Sequence, residues 1–128
     1  AQWGYENRTT AIRIPGGDLA SKRIEHRVAG GDTNPYLVMA AILGSALLGI
    51  EKKLTPIKPA MNNAYSNGAE NLALNWEDAI NYFENNKEIK QIFSNDLIEN
   101  LVRTKRQELN EFKKIESSKH WKYYVSAI

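Results

Sequence analysis

Apolar and polar residues alternate in two short segments near the N-terminus, and the spacing then becomes helical for the rest of the chain. In Arg23 to Val28, alternation puts Arg23, Glu25 and Arg27 on one face of a strand and Ile24, His26 and Val28 on the other. That is the pattern of a half-buried strand whose apolar side packs on a core. In the earlier segment Ile12 and Ile14 lie opposite Arg13. The intervening Pro15, Gly16, Gly17 and Asp18 are turn formers, so the two segments are expected to pair as a wide-looped hairpin that brings Arg13 near Arg23, Glu25 or Arg27.

Asn34 followed by Pro35 is a helix N-cap and first-turn pair. From Tyr36 to Ile50 the chain carries no charge, and Glu51, Lys52 and Lys53 then stop the run. Apolar nearly all round but shorter than the ~18 to 20 residues that span a bilayer, it reads as a buried core helix. Gly44 and Ser45 permit close approach of another backbone. Thr55 to Asn71, rich in Pro, Asn, Ser and Gly, reads as an ordered loop or linker. Asn75, with Asp78 three residues on, caps an expected helix from Trp76 to about Asn85, with Ala79, Ile80 and Phe83 on its apolar stripe. A short turn over Glu88 to Phe93 follows. Ser94 or Asn95 then caps the longest helix, reaching about Glu116, with Leu97, Ile98, Leu101, Val102, Leu109, Phe112 and Ile115 on its buried side. Glu99 and Arg103 are spaced for an i,i+4 pair, and Arg103, Lys105, Arg106, Lys113 and Lys114 read as a solvated face. The expected fold class is α+β: an N-terminal β-hairpin followed by a mainly α-helical body.

Composition narrows the partners. With 128 residues the chain has about one domain's length, and its formal net charge of +2 is too small to argue for nucleic acid or an anionic membrane. The absence of cysteine excludes disulfide scaffolds and thiolate-held zinc, and suits a reducing cytoplasm. His26, on the apolar side of its strand, reads as a packed histidine rather than a metal ligand. His120, within Lys119 to Tyr124, belongs to a basic aromatic cluster that reads as a docking segment in preference to a base-stacking platform. Asn7-Arg8-Thr9 matches a glycosylation sequon, read here as coincidence.

By its residues alone, a row of arginines about one glutamate is most often a solvated salt-bridge ladder, which contributes little. The chemistry that rewards such crowding is phosphoryl transfer. There guanidinium forks neutralise charge spread over phosphate oxygens while a carboxylate holds a divalent cation.

The ordered set Asn7-Arg8-Thr9, Arg13-Ile14-Pro15, Arg23-Ile24-Glu25, Arg27 and Asn34-Pro35-Tyr36-Leu37 resembles the C-terminal part of glutamine synthetase-family catalytic domains. The resemblance is strongest over the first half of the chain. It implies a C-terminal fragment, with residues 1–33 as a strand and loop segment bearing the site and 34–128 as a helical body. The implied activity is an ATP-dependent glutamate–ammonia or glutamate–amine ligase. Such an enzyme phosphorylates the γ-carboxylate of glutamate and then forms an amide. Carried over by position, the resemblance makes Glu25 a ligand of Mg²⁺ or Mn²⁺. It makes Arg27 the contact to glutamate and the transferring phosphoryl group, and Arg8 and Arg13 the grip on the ATP phosphates, Arg13 counting with Arg27 as catalytic. Arg23 is a further nucleotide contact. The run Trp3-Gly4-Tyr5-Glu6, His26 and the stretch Val28 to Asp32 are similar to the γ-glutamylpolyamine synthetase branch. Tyr65 stands near a position nucleotidylated in some relatives but lacks the acidic, proline-containing context that follows it there, so that modification is not expected. The family's remaining metal ligands lie upstream, and its sites form between subunits of a homo-oligomer. A chain that opens on Ala1, almost directly on a site motif, is therefore expected to be an excised piece, inactive alone. The competing expectation is a family member that keeps these motifs for structural or interaction roles only.

Overall fold

Local signals govern most of the helices in the computed structural model, which describes residues 2–66, 68 and 71–125. These residues group into two units, one from 2–33 with the described residues of 51–72 and the other from 34–50 and 73–125. Residues 51–72 thus leave the first helix and return to the unit that holds the N-terminal strands.

That first unit is built on a small sheet of order β1-β2-β3, with β1 (Trp3–Tyr5), β2 (Ile12–Ile14) and β3 (Glu25–His26). The expected pairing of β2 with β3 is present and antiparallel, matching Ile12 with His26 and Arg13 with Glu25. A third strand was not expected: β1 runs parallel to β2, in register from Trp3 with Ile12 to Tyr5 with Ile14. Parallel neighbours ordinarily need a long crossover. Here the short connection closes because Glu6 adopts a left-handed backbone, φ 50°, and donates its N–H to the Ile14 carbonyl at 3.1 Å. The half-buried strand expected over Arg23 to Val28 shrinks to two residues, with Ile24 72% and Val28 47% exposed and the His26 side chain exposed rather than packed. With a single strand neighbour and no apolar layer over them among the described residues, these side chains have nothing to bury against.

The Pro- and Asn-rich stretch is an ordered arm on this sheet. Trp3 Nε1 donates to the Ile57 carbonyl at 2.7 Å, and the Ala60 N–H donates to the Trp3 carbonyl at 2.9 Å. So close an approach requires a glycine, since a Cβ on Gly4 would stand 2.9 Å from the Ala60 oxygen. Asn7 uses both amide hydrogens on the Ala60 and Asn62 carbonyls, 2.9 and 2.8 Å, and its oxygen accepts from the Thr9 N–H and hydroxyl. The Thr9 hydroxyl in turn accepts from the Ala64 N–H at 2.8 Å. An asparagine satisfied at every position is costly to remove. Asn7→Ala is expected to destabilise this arm by at least about 2 kcal/mol, seen as faster hydrogen exchange at the Ala60 and Ala64 amides with the amides of the helix Asn95–Phe112 unchanged. Unchanged protection there would show that the asparagine does not hold the arm.

In the second unit, α1 (Pro35–Glu51) starts where expected, the Asn34 side chain accepting from the Tyr36 and Leu37 N–H groups. It is not a buried core helix, because no residue on it is buried. One side, with Leu37, Val38 and Ala41, lines an apolar hollow together with Phe83, Phe93, Leu97 and Leu101. Gly44 admits the side chain of Ile92, not a backbone as expected. Tyr36, Met39, Leu43, Leu47 and Ile50 stand exposed. Apolar patterning established the helix, but burial needs a cover on both sides.

Helices α2 (Trp76–Asn85) and α4 (Asn95–Phe112) form the core, with Ile80, Ile98, Val102 and Leu109 buried and Trp76, Phe83, Ile89 and Phe93 packed around them. Asn75 caps α2 through the Asp78 N–H at 2.8 Å, and Ser94 caps α4 through that of Leu97. The short α3 (Ile89–Ile92) precedes α4. α4 stops at Phe112 rather than near Glu116, because Lys114 and Ile115 shift to tighter i→i+3 bonds. Glu99 and Arg103 pair as expected at 3.1 Å. Arg106 and Lys113 are not simply solvated: they reach across to Glu84 and Glu77 on α2, at 2.5 and 2.9 Å. The aromatic C-terminal segment, including α5 (Lys122–Val125), folds back on the end of α4. His120 stacks on Phe112 with ring centres 4.1 Å apart, and the Tyr124 hydroxyl donates to Glu108 at 2.6 Å.

Candidate functional site

The charged residues that the resemblance assigns to the site, Arg8, Arg13, Arg23, Glu25 and Arg27, all lie in the first unit, and β2 organises them. In a sheet, directly opposed residues share a face, so the Arg13–Glu25 pairing sets guanidinium beside carboxylate. Arg13 Nη1 donates to Glu25 Oε2 at 2.8 Å. On its other side Arg13 faces Gly4, which has no side chain to obstruct it, and Nη2 donates to Glu6 Oε2, also at 2.8 Å. The second oxygen of Glu6 accepts from the Gly16 N–H. Arg23 completes the row, donating to Glu25 Oε1 at 3.0 Å and to the Ser21 carbonyl. Only 13% of the Arg13 side chain is exposed, and 26% of that of Glu25, so this is not a fully solvated ladder.

Electrostatics follow the hydrogen bonds. The Arg13 fork, aided by Arg23, holds Glu25 below the ordinary carboxylate range. The Gly16 N–H and then Arg13 do the same for Glu6. Glu25 and Glu6 in turn push the Arg13 guanidinium up, so two carboxylates and one guanidinium stay ionised together.

Arg8 and Arg27 are placed differently. Arg8 sits exposed in the β1–β2 connection, and its charge is felt by Glu6. Arg27 follows β3 and ties its main-chain N–H to the Ala11 carbonyl at 2.9 Å. Their guanidinium groups make no hydrogen bond or ion pair among the described residues, and both are exposed to solvent. Thus Arg13, Arg23 and Glu25 are brought together, whereas Arg8 and Arg27 stand with their forks open. Glu6 is a member of the cluster that residue spacing missed. The only sequence signal was its place in the Trp3-Gly4-Tyr5-Glu6 run, which carries no chemistry until the left-handed turn aims it at Arg13.

The arrangement suits phosphate and, in part, metal. Arg13 Nε is buried with no hydrogen-bond partner, a donor that a phosphate oxygen would satisfy. Each Glu25 oxygen accepts a single guanidinium bond and keeps an acceptor position for a hard cation. Among the described residues no cluster of three or more His, Cys, Asp and Glu could hold a metal. No helix among the described residues is long and apolar enough to cross a membrane.

Comparison with known proteins gives this geometry relatives. The family profile described as "Glutamine synthetase, catalytic domain" matches residues 1–124. The chain is similar to a glutamate–isopropylamine ligase of a Pseudomonas species, 39% identical over 114 residues, covering 87% of this chain and 25% of the relative. It is 37% identical over 119 residues to the gamma-glutamylputrescine synthetase PuuA of Escherichia coli, covering 90% and 24% respectively. A glutamine synthetase of Clostridium saccharobutylicum is 32% identical over 119 residues, covering 87% and 27%. Among solved structures, apo GmaS without ligand superposes with a TM-score of 0.77 at 28% identity, covering 97% of this chain and 29% of that one. The chain spans about a quarter of the length of these curated relatives.

Proposed function

Because the chain belongs to the glutamine synthetase catalytic-domain family, we propose that it is the C-terminal segment of a longer ATP-dependent ligase subunit that joins glutamate to ammonia or a small amine. The observation that carries this reading is the Arg13–Glu25–Arg23 row with Arg8 and Arg27 open to solvent, four guanidinium groups against the two ionised carboxylates Glu25 and Glu6. The γ-carboxylate of glutamate attacks the γ-phosphorus of ATP, releasing ADP and leaving γ-glutamyl phosphate. The amine then attacks the acyl carbon, expels inorganic phosphate, and gives up a proton to leave the amide. Negative charge accumulates on phosphoryl oxygens in the first step, and fixed guanidinium groups are suited to stabilising it. Arg8, Arg13 and Arg23 take the nucleotide phosphates, and Arg27 takes glutamate and the phosphoryl group in transfer. Glu25 is a ligand of Mg²⁺ or Mn²⁺, which when bound screens the phosphate charge.

Identities of 39% and 37% to two amine ligases, against 28% to 34% to several glutamine synthetases, support an organic amine as acceptor, although a third amine ligase stands at 34%. Among the described residues Glu25 is the one carboxylate assigned to the metal, which supports the reading that this segment is inactive alone. The working protein is a cytoplasmic homo-oligomer of the whole subunit. Incubating that subunit with ATP, Mg²⁺, glutamate and, in turn, ammonia, isopropylamine and putrescine tests the reading by mass spectrometry. A γ-glutamyl amide of at least one amine is the expected product, and none from a folded, nucleotide-binding protein would favour a non-catalytic family member.

A further inference from the structure

The reaction just described assigns no role to Glu6, yet the backbone is bent to place it. Glu6 holds a left-handed conformation, φ 50°, that glycine or asparagine adopts with less strain. From there its two oxygens are used separately, Oε1 by the Gly16 N–H and Oε2 by Arg13 Nη2. We infer that Glu6 is a positioning residue: clamped between Glu6 and Glu25, the Arg13 guanidinium is fixed in one plane with its remaining N–H groups directed at nucleotide phosphate. This rests on the ligase reading for the identity of the ligand.

The physical reason lies in the side chain of Arg13. A long arginine held by a single carboxylate can still rotate about that contact. Acceptors on both terminal nitrogens, each at 2.8 Å, remove the freedom. A guanidinium carries five coplanar N–H groups, so the clamp leaves one hydrogen on each terminal nitrogen and the one on Nε. Nε is the buried donor without a partner. The plainer alternative is that Glu6 serves only to pin the turn at Gly16.

The two roles use different oxygens, so Glu6→Gln separates them. The amide oxygen of glutamine can keep the Gly16 N–H, but its NH₂ then faces Arg13 donor to donor. Glu6→Gly removes both contacts while relieving the backbone. In the whole subunit, calorimetric binding of ATP with Mg²⁺ is expected to weaken roughly tenfold in both variants. KM for ATP should rise in step, with KM for glutamate and the melting temperature of Glu6→Gln unchanged. In an Arg13→Ala background the Glu6→Gln effect should vanish. Wild-type affinity in Glu6→Gln, or a full effect persisting without Arg13, would overturn the inference, as would a wild-type subunit that binds no ATP. Wild-type turnover decides the ligase reading separately. A subunit that binds ATP without ligating would sink that reading, while the Glu6–Arg13 coupling in the binding data would still decide the role of Glu6.

Discussion

Glu25→Ala in the whole subunit is expected to lower ATP- and glutamate-dependent phosphate release by a factor of about 10² to 10³. Glu25 is the acceptor shared by Arg13 and Arg23, at 2.8 and 3.0 Å, so its loss does two things. It removes a hard oxygen ligand from the metal shell, and it leaves two guanidinium groups without their common partner. Glu25→Gln distinguishes these effects. The amide keeps one acceptor oxygen for the arginines but carries no charge for a cation. If the metal role dominates, Gln is nearly as defective as Ala and both need more Mg²⁺ for half-maximal rate. A Glu25→Gln enzyme of near wild-type rate and unchanged Mg²⁺ requirement would show that Glu25 is part of the scaffold alone. The readouts are a coupled phosphate assay and an Mg²⁺ titration.

Arg13→Ala is expected to cost about a hundredfold or more in kcat/KM for ATP, the scale set by removing one preorganised donor group. Arg13 stands on the central strand, largely buried, and is the bridge between Glu6 and Glu25. Without it Glu25 keeps Arg23 alone as an ion-pair partner, Glu6 is left with the more distant charge of Arg8, and Glu25 loses the contact that aims it. Arg13→Lys is expected to recover little. A lysine ammonium brings the charge but not a planar fork able to serve two carboxylates and a phosphate at once. Steady-state kinetics with ATP as the varied substrate make the test, alongside a thermal melt to exclude a fold defect. A lysine enzyme within a few-fold of wild type would mean that charge alone matters and that the bridge geometry does not.

How much of this was legible before the structure depends on distance along the chain. The helix starts at Asn34, Asn75 and Ser94 were readable because a cap and its N–H partner lie within three residues. The β2–β3 pairing was readable too, since alternation and a turn-rich connection are local; it put Arg13 near Arg23, Glu25 or Arg27, and only the register selects Glu25. Features depending on remote partners were not. Parallel β1 is three residues with no period of its own, and it exists through pairing with β2 and through an arm bonded to Trp3 and Asn7 from more than fifty positions away. Asn7 and Thr9 were motif letters in the sequence, and their work turns out to be tying down that arm. Burial was the least legible property. The apolar spacing that establishes α1 implies a core, but Tyr36, Met39, Leu43, Leu47 and Ile50 are exposed, as is His26. Arg106 and Lys113 show the converse, a polar face whose cations pair with carboxylates of α2 across the edge of the apolar α2–α4 core.

The most direct measurement of the central claim is ATP- and Mg²⁺-dependent phosphate release by the whole subunit, supplied with glutamate and with ammonia or putrescine. Wild type is compared with Glu25→Ala and Arg27→Ala. The account predicts release that requires glutamate and an amine and collapses in both variants. Release that survives in both, or none from a folded wild-type protein with any amine, would contradict it.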